Sequence, residues 1–159
     1  MERLSESGIR ALARHVKRHL LTGFTRNCFV IMPFRRKFAP VYEEAIKPAL
    51  AAHGLKPLRT DRLGLTGNVV EFIRNALNSC YFAIADTTHD RPNVMYELGM
   101  AHAENKPVIM LRSARGRPAP FDIQSENIIS YSRDMKKLRE RLERTIAVVV
   151  GKAESLESR

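Results

Sequence analysis

The chain has 159 residues, the size of one ordinary domain, and a formal net charge of +10. Its 44% hydrophobic and 28% charged residues exclude a wholly disordered or fibrous chain. No segment approaches the roughly 18 consecutive apolar residues of a membrane span. Two cysteines, Cys28 and Cys80, are too few for a disulfide framework or a zinc site. We expect no metal and no cofactor, and a cytoplasmic location because the N-terminus lacks the apolar core of a secretory signal.

The positive charge is concentrated near the two ends of the chain and favours anionic partners. Residues 5–21 carry apolar residues at helical spacing with basic residues opposite, which predicts a basic amphipathic helix over 1–24. An α/β domain should follow over 25–150, and a tail over 151–159. Solvated helix faces are the simplest interpretation of the two basic ends; nucleic-acid binding and attachment to a membrane surface are weaker alternatives.

Strands and helices alternate along the predicted domain. Continuous apolar runs are typical of strands buried on both faces, and the chain has three, with a weaker fourth and a candidate edge strand. These strands are predicted at 28–32, 55–59, 81–85, 108–111 and 127–131. Helices are predicted at 40–52, 68–78, 93–105 and 133–149, with a kink or restart at Pro48. The alternation predicts a flavodoxin-like (Rossmann-like), three-layer α/β/α fold whose five parallel strands have the order 2-1-3-4-5.

In such sheets, ligands bind beyond the carboxyl ends of the strands, where the strand order reverses. Here this position corresponds to the loops after strands one and three. The first loop reads Met32-Pro33-Phe34-Arg35-Arg36-Lys37-Phe38 and has no glycine, which excludes a P-loop and a GxGxxG turn. Its three cations suit a phosphate, although a solvated basic loop is an equal alternative. The segment 113–125 is a candidate lid.

The third strand ends at Asp86, and a helix should start near Pro92 with Asn93 as its N-cap. Glu97 then lies in the first helical turn or just beyond it, where the helix dipole favours an ionised carboxylate. Such a carboxylate is suited to attack or stabilise the electron-poor anomeric carbon of a sugar. The simpler alternative is that Glu97 only complements the helix dipole.

Five further residues are also considered as site candidates. Gly99, in the same helix, suggests either close packing against the backbone or room for a ligand. Asp61 is either an acid that points to the same cleft or a turn residue. His102 is five residues beyond Glu97 and off its face, so we expect no catalytic role for it. Cys28 and Cys80 are expected to be buried, inert thiols.

Several strings of residues resemble the nucleoside 2-deoxyribosyltransferase-like superfamily, and more closely its branch of nucleotide-binding, TIR-like proteins. The strings are Phe29-Val30-Ile31-Met32-Pro33-Phe34, Ala85-Asp86-Thr87-Thr88, Arg91-Pro92-Asn93-Val94-Met95-Tyr96-Glu97-Leu98-Gly99-Met100-Ala101-His102-Ala103 and Lys106-Pro107-Val108-Ile109. The resemblance covers roughly residues 27–131 and implies a flavodoxin-like fold and cleavage of an N-glycosidic bond. By this analogy Glu97 attacks the sugar C1′ atom. Asp86, the better match, or Asp61, the poorer one, protonates the leaving base.

The chain departs from the transferases after its first strand, where they carry a glycine-containing turn. The basic sequence found here instead favours a phosphorylated substrate. We therefore expect a nucleotide N-glycosidase or (deoxy)ribosyltransferase that forms homo-oligomers. Its expected catalytic residues are Glu97, Asp86 and Asp61, and its expected substrate-binding residues are Pro33, Phe34, Arg35, Arg36 and Asn93. The alternatives are a nucleotide-binding sensor with little turnover and a TIR-type NAD hydrolase.

Overall fold

The computed structural model describes residues 26–60, 68–124 and 126–157, with side chains up to residue 151. The strands in this part of the chain are β1 (Asn27–Ile31), β2 (Lys56–Leu58), β3 (Phe82–Asp86), β4 (Val108–Ser113) and β5 (Ile128–Tyr131). The helices are α1 (π-helical Val41–Ile46 continued by α-helical Lys47–Ala51), α2 (Val69–Ser79), α3 (Pro92–Ala103) and α4 (Met135–Glu157). Short 3-10 turns occupy Arg36–Phe38 and Phe121–Ile123. Asp61 and the predicted N-terminal helix lie outside the described residues.

The five strands form one parallel sheet in the order β2-β1-β3-β4-β5. This confirms the predicted fold class and strand order. The chain leaves β1 for one neighbour, β2, and later returns on the other side as β3. The strand order therefore reverses between β1 and β3, and their carboxyl ends border the crevice where ligands bind in folds of this type.

The sheet is covered on both faces, because alternate residues of each strand point to opposite sides. One face packs against α1 and α4, and its core includes Val30, Ile84 and Leu111. The other face packs against α2 and α3 around Phe29 and Ile31. The result is the predicted three-layer α/β/α arrangement. The helix α4 belongs to this core through Leu138, Leu142, Ile146 and Val149, and it continues to Glu157 instead of ending near residue 149.

The first helix changes its hydrogen-bonding pattern where the sequence predicts a kink. The stretch Val41–Ile46 is π-helical, and the α-helical stretch Lys47–Ala51 begins with Pro48 in its first turn. Proline has no backbone N–H to donate, so it fits the first turn of a new α-helical stretch. The chain thus restarts its helix at Pro48, while Tyr42, Ala45 and Ile46 stay buried in the core.

The connection between β4 and β5, which includes the candidate lid, contains no α-helix among its described residues. It is held by its own hydrogen bonds: Ala114 N donates to the Tyr131 carbonyl, and the Gln124 side chain donates to the Ala119 carbonyl. The expectation of a lid therefore gains no support from this conformation. None of the helices in the described ranges combines the length and the apolarity that a membrane span requires.

Candidate active site

A cleft of about 170 Å³ opens beside the carboxyl end of β1. Its walls come from the loop after β1, from α1 and from the residue that follows β2. The lining residues are Met32, Pro33, Phe34, Arg35, Phe38, Ala39, Tyr42, Glu43 and Arg59. The cleft is smaller than the roughly 300–1,000 Å³ of typical small-molecule sites.

An arginine that sequence reasoning missed lies in the wall of this cleft. The Arg59 guanidinium carbon is 4.3 Å from the Tyr42 ring centroid and 5.9 Å from the Phe34 ring centroid. Both distances lie within the range of cation–π attraction, which restricts the orientation of the guanidinium. The sequence placed Arg59 at the end of a predicted edge strand over 55–59 and gave no signal that it meets Tyr42, which lies in a different predicted element. Together the two rings present Arg59 as an oriented binding group.

The carboxylate of Glu97 is nearly enclosed, with 7% of the residue exposed. The hydroxyl of Thr60 donates a hydrogen bond to Glu97 Oε1 at 3.4 Å. Thr60 is buried and directly follows Arg59, which lines the cleft. Glu97 therefore contacts the residue next to the cleft wall in the chain. The resemblance singled out Glu97; in the structure Glu97 contacts Thr60 but is not among the residues that line the cleft.

The start of α3 differs from the prediction. The helix begins at Pro92, with Arg91 at the N-cap and no side-chain cap, so the expectation that Asn93 caps the helix was wrong. The fixed φ of proline suits the first helical position, which explains the earlier start. Glu97 is the sixth residue of α3 and lies just beyond the first turn. The influence of the helix dipole has mostly faded at that distance.

Asp86 ends β3 and is fully buried, with both carboxylate oxygens accepting hydrogen bonds. The Thr88 backbone N–H donates to Oδ1 at 2.9 Å, and the Tyr131 hydroxyl donates to Oδ2 at 2.6 Å. Burial raises the pKa of Asp86, and these hydrogen bonds oppose the shift. The carboxylate therefore joins β3 to β5 in this conformation and has no surface that faces the cleft.

The loops after β1 and β3 meet at the crevice through a pair of basic side chains. Lys37 Nζ lies 2.9 Å from His89 Nε2, and the His89 ring packs edge-on against Phe38 with 6.2 Å between ring centroids. His89 and Asp90 both have positive φ angles, of 67° and 45°. Positive φ is uncommon outside glycine and often marks a functional loop.

The predicted site residues divide into four groups. Pro33, Phe34 and Arg35 line the cleft, whereas Arg36 and Asn93 are exposed and do not. Glu97 and Asp86 are buried and do not line the cleft, and Asp61 is outside the described residues.

The remaining candidates were simpler to place. His102 is exposed, and both cysteines are buried and free, as predicted. A Cβ at Gly99 would meet no atom within 4 Å, so this glycine does not permit the close packing that the sequence suggested. Within the described ranges, no cluster of three or more histidine, cysteine or acidic side chains is suited to hold a metal.

The comparisons with known proteins agree with the fold. A CMP N-glycosidase from Clostridium botulinum, BcmB, is similar in structure, with a TM-score of 0.58 and 16% sequence identity. The match covers 75% of this chain and 98% of that chain. No family model and no curated protein matches the sequence. At this identity the likeness shows a shared fold, and the chain is therefore an α/β protein of the same architecture as a nucleotide-cleaving enzyme.

Proposed function

We propose that this protein is a nucleotide N-glycosidase with Glu97 as its nucleophile. One observation carries the proposal: a nearly enclosed carboxylate on α3 accepts a hydrogen bond from Thr60, which directly follows the cleft residue Arg59. The similar architecture of a CMP N-glycosidase supports the choice of reaction. The motif around Glu97 supports it independently, because the resemblance to the deoxyribosyltransferase-like superfamily rests on sequence.

The proposed reaction has two balanced steps. First, a Glu97 oxygen attacks C1′ of the sugar, the C1′–N bond breaks, and its electron pair goes to the base, which takes a proton from an acid. Then water attacks C1′ of the glycosyl ester and loses its proton to the same acid, which releases the sugar phosphate and frees Glu97. A pair of acids in different environments is the arrangement that glycosidases use for this chemistry.

The second acid is assigned less directly. Asp86 was the better motif match, but its carboxylate is enclosed and both of its oxygens accept hydrogen bonds. Asp61 follows Thr60, whose hydroxyl contacts Glu97. We therefore propose Asp61 as the proton donor and Asp86 as a residue that holds the loop after β3 in place. The two assignments differ in their consequences, because only the loss of a proton donor is relieved by substrates with better leaving groups.

The basic groups around the crevice favour a phosphorylated substrate. Arg35 and Arg59 line the cleft, and Lys37 and His89 meet above the ends of β1 and β3. Guanidinium groups bind phosphate oxygens in pairs, and an ammonium group adds a point charge. A nucleotide that places its sugar near Glu97 can direct its phosphate to these groups. We further propose that the protein acts as a homo-oligomer, as the resemblance implies.

The test is release of free base from a panel of nucleoside monophosphates and NAD, separated by chromatography. We expect release from at least one monophosphate, with Glu97→Gln inactive and folded by circular dichroism. Undiminished release of the base by Glu97→Gln would show that Glu97 is not the nucleophile. Thermal stabilisation by a nucleotide that stays intact would instead support a sensor, because a ligand that binds only the folded state raises its stability. Release from NAD alone would support the TIR-type alternative.

A further inference from the structure

The buried guanidinium of Arg112, near the end of β4, takes no part in the proposed reaction. Only 5% of the residue is exposed, yet all five of its N–H groups have acceptors. Nη1 donates to Asp90 Oδ1 at 2.7 Å and to the Thr87 carbonyl at 2.6 Å, and Nη2 donates to Asp90 Oδ2 at 3.1 Å. Nη2 and Nε also donate to the carbonyls of Pro118 and Arg117, at 3.0 and 2.9 Å.

These contacts join two loops at the carboxyl edge of the sheet. Thr87 and Asp90 belong to the loop between β3 and α3, and Arg117 and Pro118 belong to the loop between β4 and β5. A further hydrogen bond connects the end of β4 to the loop after β3: the Ser113 backbone N–H donates to the Thr88 hydroxyl at 2.9 Å. We call the group formed by Arg112, Asp90 and Thr87 the arginine clamp.

The clamp holds a backbone conformation that the sequence alone disfavours. His89 and Asp90 have consecutive positive φ angles, and neither residue is glycine. Such angles persist where surrounding contacts over-determine them. Two parallel hydrogen bonds between a guanidinium and a carboxylate fix Asp90 in both distance and orientation. The turn they hold leads directly into Pro92, where α3 begins.

We propose that Arg112 is a positioning residue for the N-glycosidase site. By holding Asp90 and Thr87 it fixes the loop that starts α3, and thereby the position of Glu97 against the bound sugar and of His89 at the crevice. The inference rests on the proposed function. Arg112 touches no substrate in this assignment, since its donors are fully used within the protein.

The test is the variant Asp90→Asn, which keeps the shape of Asp90 but removes the charge that pairs with Arg112. The asparagine amide oxygen still accepts one hydrogen bond from the buried Arg112 guanidinium, which loses its charged partner, and circular dichroism checks that the variant folds. We expect kcat to fall at least tenfold with KM changed less than threefold, and Asp90→Ala to fall further. Arg112→Lys should lose activity as well, because one ammonium group cannot reproduce the paired contacts.

The matched control breaks an ion pair at the C-terminal end of α3, the helix that carries Glu97. Arg74→Gln removes the exposed contact to Glu104, 2.9 Å long, and should leave kcat unchanged. Hydrogen exchange supplies a readout that needs no turnover: Asp90→Asn should speed exchange in both 87–91 and 114–118. A wild-type kcat in Asp90→Asn, or unchanged hydrogen exchange in either loop, would contradict the proposal that Arg112 positions the loop before α3. A wild-type chain that releases no base would overturn the proposed function instead, and the exchange result would still decide the clamp.

Discussion

A basic side chain is buried at each edge of the sheet, and the two have different hydrogen-bond partners. At the carboxyl edge, Arg112 has a carboxylate partner and acceptors for all five N–H groups. At the amino edge, Lys106 is 3% exposed, and its Nζ donates to the Cys80 carbonyl at 2.6 Å. Burial lowers the pKa of Lys106 to about 7, while the charges of Cys80, Glu104 and Cys28 oppose the shift.

We propose that Arg112 positions the site, whereas Lys106 contributes to the fold alone. Burial disfavours the charged form of lysine, and a carbonyl with nearby thiols compensates only partly. The same burial raises the pKa of Cys80 to about 11 and that of Cys28 well above its usual value, which disfavours the reactive thiolate form. Substitutions should therefore change catalysis at the carboxyl edge and stability alone at the amino edge.

The largest effect is expected at Glu97. Glu97→Gln removes the nucleophile and should lower kcat for base release by roughly a thousandfold or more, about 4 kcal/mol of transition-state stabilisation. Stopped assays with chromatographic detection of the base measure the change. The control is Glu44→Gln, an exposed acid on α1 that does not line the cleft, which should keep wild-type kcat. Equal activity in both variants would contradict the site assignment.

The second effect is a pH dependence of stability at the amino edge. The pKa of Lys106 is lowered in the folded state, so between about pH 7 and 10.5 the unfolded chain holds the proton and the native chain does not. Stability must therefore rise with pH across this window. From pH 6 to pH 9, the free energy of unfolding of wild type should rise by about 2–3 kcal/mol more than that of Lys106→Met.

Urea titrations of the two proteins at both pH values measure this difference. Changes common to the other titrating groups cancel in the subtraction. Parallel curves would show that Lys106 keeps its charge when buried, and the contrast between the two edges would then disappear. Base release should remain at the wild-type level in Lys106→Met, because the substitution lies at the edge opposite the site.

The third effect concerns the buried carboxylate of Asp86. Tyr131→Phe removes the hydroxyl that donates to Asp86 Oδ2 at 2.6 Å and leaves that oxygen without this donor. An unmade buried hydrogen bond costs about 1–3 kcal/mol, and we expect a loss of stability in this range. Tyr96→Phe is the control, because Tyr96 is 54% exposed and should change stability by less than about 0.5 kcal/mol.

The smallest effect is expected at Gly99, on the outer side of α3. Gly99→Ala should stabilise the protein by about 1 kcal/mol, because alanine is the better helix former and its Cβ would meet no atom within 4 Å. Gly54→Ala is the contrasting control and should destabilise, since Gly54 has a φ of 64°. Thermal melting measures both. A destabilised Gly99→Ala would indicate that another subunit covers this part of the helix.

Local patterns predicted most of the fold and part of the site. Continuous apolar runs identified the strands, and Pro48 marked the restart of α1, because both signals depend on neighbouring residues alone. The clamp was not predictable, since Arg112 and Asp90 are 22 residues apart and meet only through strand pairing. The enclosure of Asp86 depends on Tyr131 in the same way. The N-cap of α3 was predicted at Asn93, but the helix already starts at Pro92, because proline suits the first helical position.

The stacking of Arg59 between two aromatic rings has a consequence for engineering. Phe34 and Tyr42 both contact this guanidinium, and neither is the residue proposed to attack the sugar. If the proposed function holds, altering the exposed ring at position 34 should therefore change which nucleotide is preferred while Glu97 stays intact, whereas replacing Tyr42, which is buried in the core, should also cost stability. Directed evolution of new substrate selectivity has a natural starting point at position 34.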